Sequence, residues 1–351
     1  MKAELDLIPT AIVNPSSIVV YNQVVWFPSK PTKEKLSTGQ FDENGNLISF
    51  LRSTRKAEGQ VSPQAKRKIS KAIDYLITTA REKRVYEKVS GKVVRFTIAF
   101  VTLTLPSKQI HSDKEIINRC LNSLLLEAKK YYDVKNYVWR AEKQQNGNIH
   151  FHLLIDKFIP YYELRNRWNR IVNKLGYVDR YQENMREYYK NGFRKSNNKH
   201  DKRPEQLQYI AYQKASASNY ANPNSTDIHS TKKIKNLKAY VTKYLTKSEP
   251  EPADGEGPKK EQQKQTGRIW SCNHELGQAK GYATEIDNEI GQELTNLKNS
   301  GKVRIYEGDY FTVYNVSFEQ LKKLNAENLF YYFANYLLER FDYNYQLKIA
   351  V

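Results

Sequence analysis

His150 and His152 flank one apolar residue, Phe151, in a stretch that alternates like a β-strand. Side chains two apart in a strand point to one face, so both imidazoles can reach a single metal ion. The plainest reading of two such histidines is a pair of outward-facing polar residues. A third candidate on the preceding strand, Glu142, shifts the balance. A two-residue turn at Asn146 and Gly147 would set Glu142 opposite Phe151, on the wrong face. A three-residue loop of Gln145, Asn146 and Gly147 sets it directly opposite His150, and glycine suits the third loop position, which takes a positive φ. Two imidazoles and a carboxylate then converge from neighbouring strands. Three protein ligands leave coordination positions open for substrate, as in a catalytic site. Imidazole suits zinc and manganese, whereas carboxylate and phosphate oxygens suit magnesium or manganese. The ligand set alone does not choose, and a divalent ion, Mg²⁺ or Mn²⁺, is expected.

A second chemical segment is YVTKYLTK, residues 240–247. On a helix, Tyr240, Lys243, Tyr244 and Lys247 fall at i, i+3, i+4 and i+7 and form one stripe. Aromatic stripes at this spacing are often core. Here another stripe, Ile234, Leu237, Val241 and Leu245, is available for packing, so the Tyr/Lys face is spare and free to line a site. Lysines beside phenols lower the cost of phenolate and can hold a phosphate. A third segment, FVTLT at 100–104, is by itself a good central strand; Thr102 and Thr104 either touch DNA or bond across the sheet.

These residues need elements to carry them. Ser62 followed by Pro63 reads as an N-cap and first helical position, opening a helix to about Arg84. Val93 to Leu105 reads as one strand closed by Pro106. A helix over 113–131 turns Ile116, Ile117, Leu121, Leu124 and Leu125 inward. The hairpin 137–155 follows, then a helix near 162–175. Residues 181–231 show little periodicity and read as a long, partly mobile insertion. A helix over 232–247 bears the tyrosines, 248–265 is an exposed loop or linker, and 267–272 is a short strand. The C-terminal stretch 317–338 is helical and aromatic; packing on the main domain and self-association both remain open for it, and the sequence leaves the oligomeric state undecided. The expected domains are an N-terminal extension, 1–61, a nuclease-like domain, 62–275, and a C-terminal segment, 276–351.

Charge sets the partner class. Fifty-seven Lys and Arg against thirty-eight Asp and Glu leave the chain at +19, a field that attracts polyanions, most often nucleic acid. An aromatic share of 12%, with 26 tyrosines, argues against full disorder. The longest nearly apolar stretch, Phe96 to Leu105, is half the length of about 20 residues that a spanning helix needs, and no amino-terminal pattern resembles a signal peptide. Cys120 and Cys272 make no zinc pattern and suit a reducing cytoplasm. No GxxxxGK[ST] motif is present, so no phosphate-cradling ATPase loop is expected.

Taken together, HFH at 150–152, FVTLT at 100–104, Glu142 eight residues before His150, and YVTKYLTK at 240–247 resemble, in order and spacing, the three motifs of the HUH endonucleases. The tandem tyrosines are similar to those of initiators from small single-stranded DNA phages of the microvirus group. The resemblance covers roughly residues 62–275. It implies an α+β fold with a central antiparallel sheet flanked by helices, metal ligands on neighbouring strands, and the tyrosine helix beside them. It implies a rolling-circle replication initiator that nicks and rejoins single-stranded DNA at an origin through a 5′-phosphotyrosine. Tyr240 or Tyr244 would be the nucleophile, Lys243 or Lys247 would assist, and Glu142, His150 and His152 would hold the metal. Strand separation and synthesis would fall to a host helicase and polymerase in the bacterial cytoplasm. A single-strand transposase or relaxase would share the chemistry; a non-catalytic nucleic-acid binder would not depend on metal; a zinc-dependent hydrolase would leave the paired tyrosines unexplained.

Overall fold

A computed structural model of the chain describes residues 7–24, 39–41, 47–50, 61–80, 83–87, 91–196, 201, 203–230, 245 and 266–341. It divides the chain into two compact units, one made of residues 1–57 with 280–351 and the other of residues 58–279. Among the described residues no helix is long and apolar enough to cross a membrane.

In the first unit, strands β1 (Leu7–Asn14) and β2 (Ser17–Val24) form a hairpin, and β3 (Gly39–Phe41) pairs with β4 (Leu47–Phe50). The second unit holds α1 (Pro63–Thr79), the ladder β5 (Lys83–Glu87) with β6 (Lys92–Phe96), and β7 (Ala99–Leu103). Next come α2 (Asp113–Ile116), a π-helical turn (Ile117–Leu121) and α3 (Asn122–Tyr132), then β8 (Tyr137–Lys143) and β9 (Ile149–Ile155). The unit continues with α4 (Tyr161–Asn173), α5 (Tyr177–Tyr188), α6 (Glu205–Ala217), β10 (Thr226–Ser230), β11 (Trp270–Cys272) and α7 (His274–Gln278). The chain then returns to the first unit with β12 (Tyr282–Glu285), α8 (Asn288–Asn299), β13 (Arg304–Glu307), β14 (Phe311–Asn315), α9 (Phe318–Leu321) and α10 (Glu327–Phe341).

The sheet of the second unit runs β10-β7-β9-β8-β11, antiparallel throughout. Strand alternation sends Ala99, Val101, Leu103, Trp139, Ala141, Phe151 and Leu153 to one face, where they form a core with residues of α2 through α5. Trp168 is the largest fully buried side chain there, and its indole donates to the Thr104 carbonyl at 2.7 Å. The opposite face takes Phe100, Thr102, Arg140, Glu142, His150 and His152, and α1 packs against β8. Ser62 caps α1 by accepting from the Ala65 amide, with Pro63 in the first turn.

The fold class is the expected one: α+β with antiparallel sheets flanked by helices. Three local expectations change. The helix opening at Ser62 stops at Thr79, short of Arg84. The apolar run 93–105 is two strands, split at Thr97 and Ile98, because β6 ladders with β5 while β7 enters the main sheet; a hydrophobic run carries no mark of which partner each half takes. The stretch 181–231 contains the end of α5, then α6, and β10 as an edge strand of the main sheet. The tyrosine helix at 232–247 and the loop at 248–265 lie outside the described residues, Leu245 excepted.

The first unit has its own five-stranded antiparallel sheet, β12-β1-β2-β14-β13, so strands from both ends of the sequence share one ladder. Gly281 leads into β12 where a Cβ would fall 2.2 Å from Ile12 Cγ2. Buried Glu293 of α8 accepts from the Asn328 and Leu329 amides and so caps α10. The aromatic stretch near 317–338 is broken between α9 and α10, with Asn325 left-handed at φ 57°.

Candidate metal centre

The loop joining β8 to β9 decides the geometry. The Gln144 amide donates to Asn148 O at 2.9 Å, the Gly147 amide donates to Gln144 O at 2.8 Å, and Gly147 sits at φ +82°. These bonds enclose three loop residues, Gln145 to Gly147, and the register pairs Glu142 with His150 and Arg140 with His152. The left-handed position falls on the residue without a Cβ, where the turn needs it. Buried Asn148 holds the hairpin tip by donating to Ser107 O at 2.9 Å and accepting from the Gln109 amide at 2.8 Å.

Glu142, His150 and His152 each place a ligand atom within 4.8 Å of the other two. His152 Nε2 lies 2.9 Å from Glu142 Oε1, and the two imidazole centroids are 4.5 Å apart at 79°. The Nδ1 atoms of both histidines are buried without a hydrogen-bond partner. A buried imidazole nitrogen left in that state is costly, and binding a cation would remove the cost. With two nitrogen donors, one carboxylate and open positions, the residues present fit a divalent ion of the Mn²⁺, Mg²⁺ or Zn²⁺ kind.

The electrostatics favour the ligand forms. Burial, then the neighbouring His152, holds His150 down to about 4 against the opposing pull of Glu142, so its imidazole is neutral at neutral pH. Burial acts to raise Glu142, but the hydrogen bond from His152 and the charges of His152, Arg140 and His150 outweigh it, and the carboxyl titrates below its usual range. Metal ligation requires both deprotonated forms.

The site row crosses the whole sheet. Asp227, Thr102, His152, Arg140 and Trp270 face one another in register on five successive strands. Thr102 is therefore beside His152. Thr104 is not comparably placed for a ligand: its hydroxyl and amide both donate to Ser225 O, at 3.1 and 2.8 Å, which is the cross-sheet alternative of the sequence reading. Phe100 packs on His152 at 5.4 Å and on His229 at 5.3 Å, so His229, read from sequence as a surface or local structural residue, belongs to the flank of the site. Arg140, only 3% exposed, is the site residue that sequence reasoning missed; its signal was its place two residues before Glu142 in an alternating strand. Tyr240, Lys243, Tyr244 and Lys247 lie outside the described residues. Leu245, from the packing stripe of that segment, is helical and fully buried.

A sequence model of one family, described as replication-associated protein of the ORF2 type, matches residues 98–249. That span contains β7 through β10, the three metal-ligand candidates and both candidate tyrosines, and the match supports a replication-initiator role. No curated protein and no solved structure matches the chain.

Proposed function

We propose that this chain is a metal-dependent nicking-and-joining nuclease of the HUH type, similar to microvirus initiators, which starts rolling-circle replication at an origin in single-stranded DNA. The observation that carries the reading is the convergence of Glu142, His150 and His152 on one sheet face, inside the span similar to replication-associated proteins. A divalent ion, Mg²⁺ or Mn²⁺, bound by those three residues would polarise the scissile phosphate and orient it for in-line attack.

The remaining steps belong to the chain's own side chains. Tyr240 or Tyr244 loses its phenolic proton and attacks phosphorus. The bond to the 3′-oxygen breaks, that oxygen leaves as a 3′-hydroxyl after gaining a proton, and the 5′-phosphate stays on the tyrosine. A phenol of pKa about 10 is a weak nucleophile at neutral pH, so Lys243 and Lys247, on the same helical stripe, stabilise the phenolate and the phosphate. The phosphotyrosine conserves the phosphodiester bond, so attack by a 3′-hydroxyl rejoins DNA. Two tyrosines one turn apart allow one to hold a DNA end while the other cuts again. The free 3′-hydroxyl is a primer for a host polymerase, with a host helicase opening the duplex, and Thr102 beside His152 contacts the DNA strand.

The test is incubation with labelled single-stranded DNA carrying the replicon's origin and Mn²⁺, followed by a denaturing gel. A protein–DNA adduct should form, should vanish in the Tyr240→Phe/Tyr244→Phe double variant and with EDTA, and should fall at least about a hundredfold in His150→Ala. Absence of any adduct with the unaltered protein overturns the proposal. Full multi-turnover joining by each single Phe variant would remove the alternation of the two tyrosines.

A further inference from the structure

The polypeptide between the metal-ligand strand and the edge strand β10 carries a surface that the metal chemistry does not use. Helix α6 spans thirteen residues yet buries only Gln208. Leu207, Tyr209 and Ile210 on it are 53%, 44% and 38% exposed. A helix of this length is marginal in water unless an apolar face is covered. Beside it, Tyr188, Tyr189, Phe193, Tyr209 and Tyr212 form a connected set of rings with centroids 4.6 to 6.2 Å apart. The Arg194 guanidinium lies 3.5 Å over the Tyr188 ring. Gln208 ties the intervening loop down, accepting from the Ser196 amide and donating to Arg203 O.

The charge on this segment is one-sided. Residues 180–214 hold nine Lys and Arg against four Asp and Glu. Three of those carboxylates are taken up locally: Glu187 by Lys190, Asp201 by Arg203 and Glu205 by Lys195. Arg180, Arg186, Arg194 and Lys214 are left without a carboxylate partner among the described residues. Lys214 continues the exposed stripe of Leu207 and Ile210 at i, i+3 and i+7.

We propose that the α5–α6 segment is a second, non-catalytic contact for single-stranded DNA, stacking unpaired bases on its exposed rings and apolar stripe and holding the backbone with Arg194 and Lys214. Aromatic faces interleaved with unpaired cations are the surface that unpaired strands bind, since every base offers a π-face and every linkage a charge. A protein partner would instead meet a centre depleted of lysine and charge. The chain runs from α6 into β10, whose Asp227 shares the row of Thr102 and His152, so the platform lies along the same polypeptide as the cutting site. The choice of single-stranded DNA rests on the nuclease reading of the metal centre.

The test uses the full chain in EDTA, where no cutting occurs, and fluorescence anisotropy with a labelled oligonucleotide of about 30 nucleotides, long enough to cover more than one site. Leu207→Ser/Tyr209→Ser should weaken binding at least about fivefold, the loss of one stacked base. Arg194→Ala/Lys214→Ala, two exposed positions, should lower the slope of log affinity against log salt by about 1.4, two phosphate contacts. Both variants should keep the far-ultraviolet dichroism and the Mn²⁺ titration of the unaltered protein. His150→Ala should bind the oligonucleotide normally while failing to form the adduct. Unchanged affinity and salt slope in both folded variants overturn the proposal and leave the nuclease reading standing. It is also overturned if the variants alter only self-association, measured by light scattering. Loss of the adduct in the unaltered protein, with the platform effects intact, overturns the nuclease reading alone.

Discussion

At the scale of single residues, a carboxylate and two imidazoles are brought together at a cost that solvent conditions can expose. The folded protein takes up a proton on His150 only near pH 4, whereas the unfolded chain does so near 6.5. Between those values the unfolded state binds more protons, so stability rises with pH across the window and falls as acid is added. Metal-free protein should therefore lose about 3 kcal/mol from this group as pH drops from 6.5 towards 4. Urea unfolding in EDTA at stepped pH measures it, and His150→Gln should flatten the slope; an identical slope in that variant contradicts the assignment. Sequence alternation alone placed the two histidines on one face, because a strand's side-chain period is 2 whatever its partners are. It could not show that Phe100 and His229 border them, since those contacts come from strands far away along the chain.

At the scale of elements, the β8–β9 hairpin sets the register and a buried network holds its tip. Gly147→Ala places a Cβ at φ +82° and should destabilise the protein by about 1–2 kcal/mol, with Gly147→Asn costing less, measured by denaturant titration. Lys143, on the core side of β8, pairs with Asp113 at 2.6 Å, and both side chains are under 10% exposed. Asp113 also accepts from the Gln109 side chain and the Thr266 amide. Burial acts to raise its pKa, but Lys143 and those donors lower it on balance. Asp113→Ala would strand the lysine charge in the interior, and a loss of about 3–5 kcal/mol is expected in thermal or urea unfolding. The helix at 113–132 was legible because its apolar spacing is local. Its internal π-helical turn was not, since one extra residue in a turn leaves no mark in periodicity.

At the scale of the whole molecule, residues 58–279 have their own sheet and core, and segments from both ends of the sequence have another. A protein trimmed to 58–279 should fold cooperatively and keep the Mn²⁺ affinity of the full chain, by calorimetry; a trimmed protein that unfolds without a transition would show that the unit depends on the rest. The net charge of +19 was readable from composition, and it predicts salt-sensitive binding to nucleic acid.

What the amino-acid order settled by itself was local: the His-Phe-His face, the three-residue loop and its glycine, the caps and helices whose spacing lies within a few turns, and the charge. Each follows from steric and hydrogen-bonding rules that act over about ten residues. The tertiary structure alone decided which strands lie side by side. It put Asp227 and Thr102 in the row of His152, split one apolar run between two ladders, and joined β1 to β12 across almost the whole chain. The reason is that long-range pairing is chosen by the total burial of both faces, a property of the assembled layers that no short window contains.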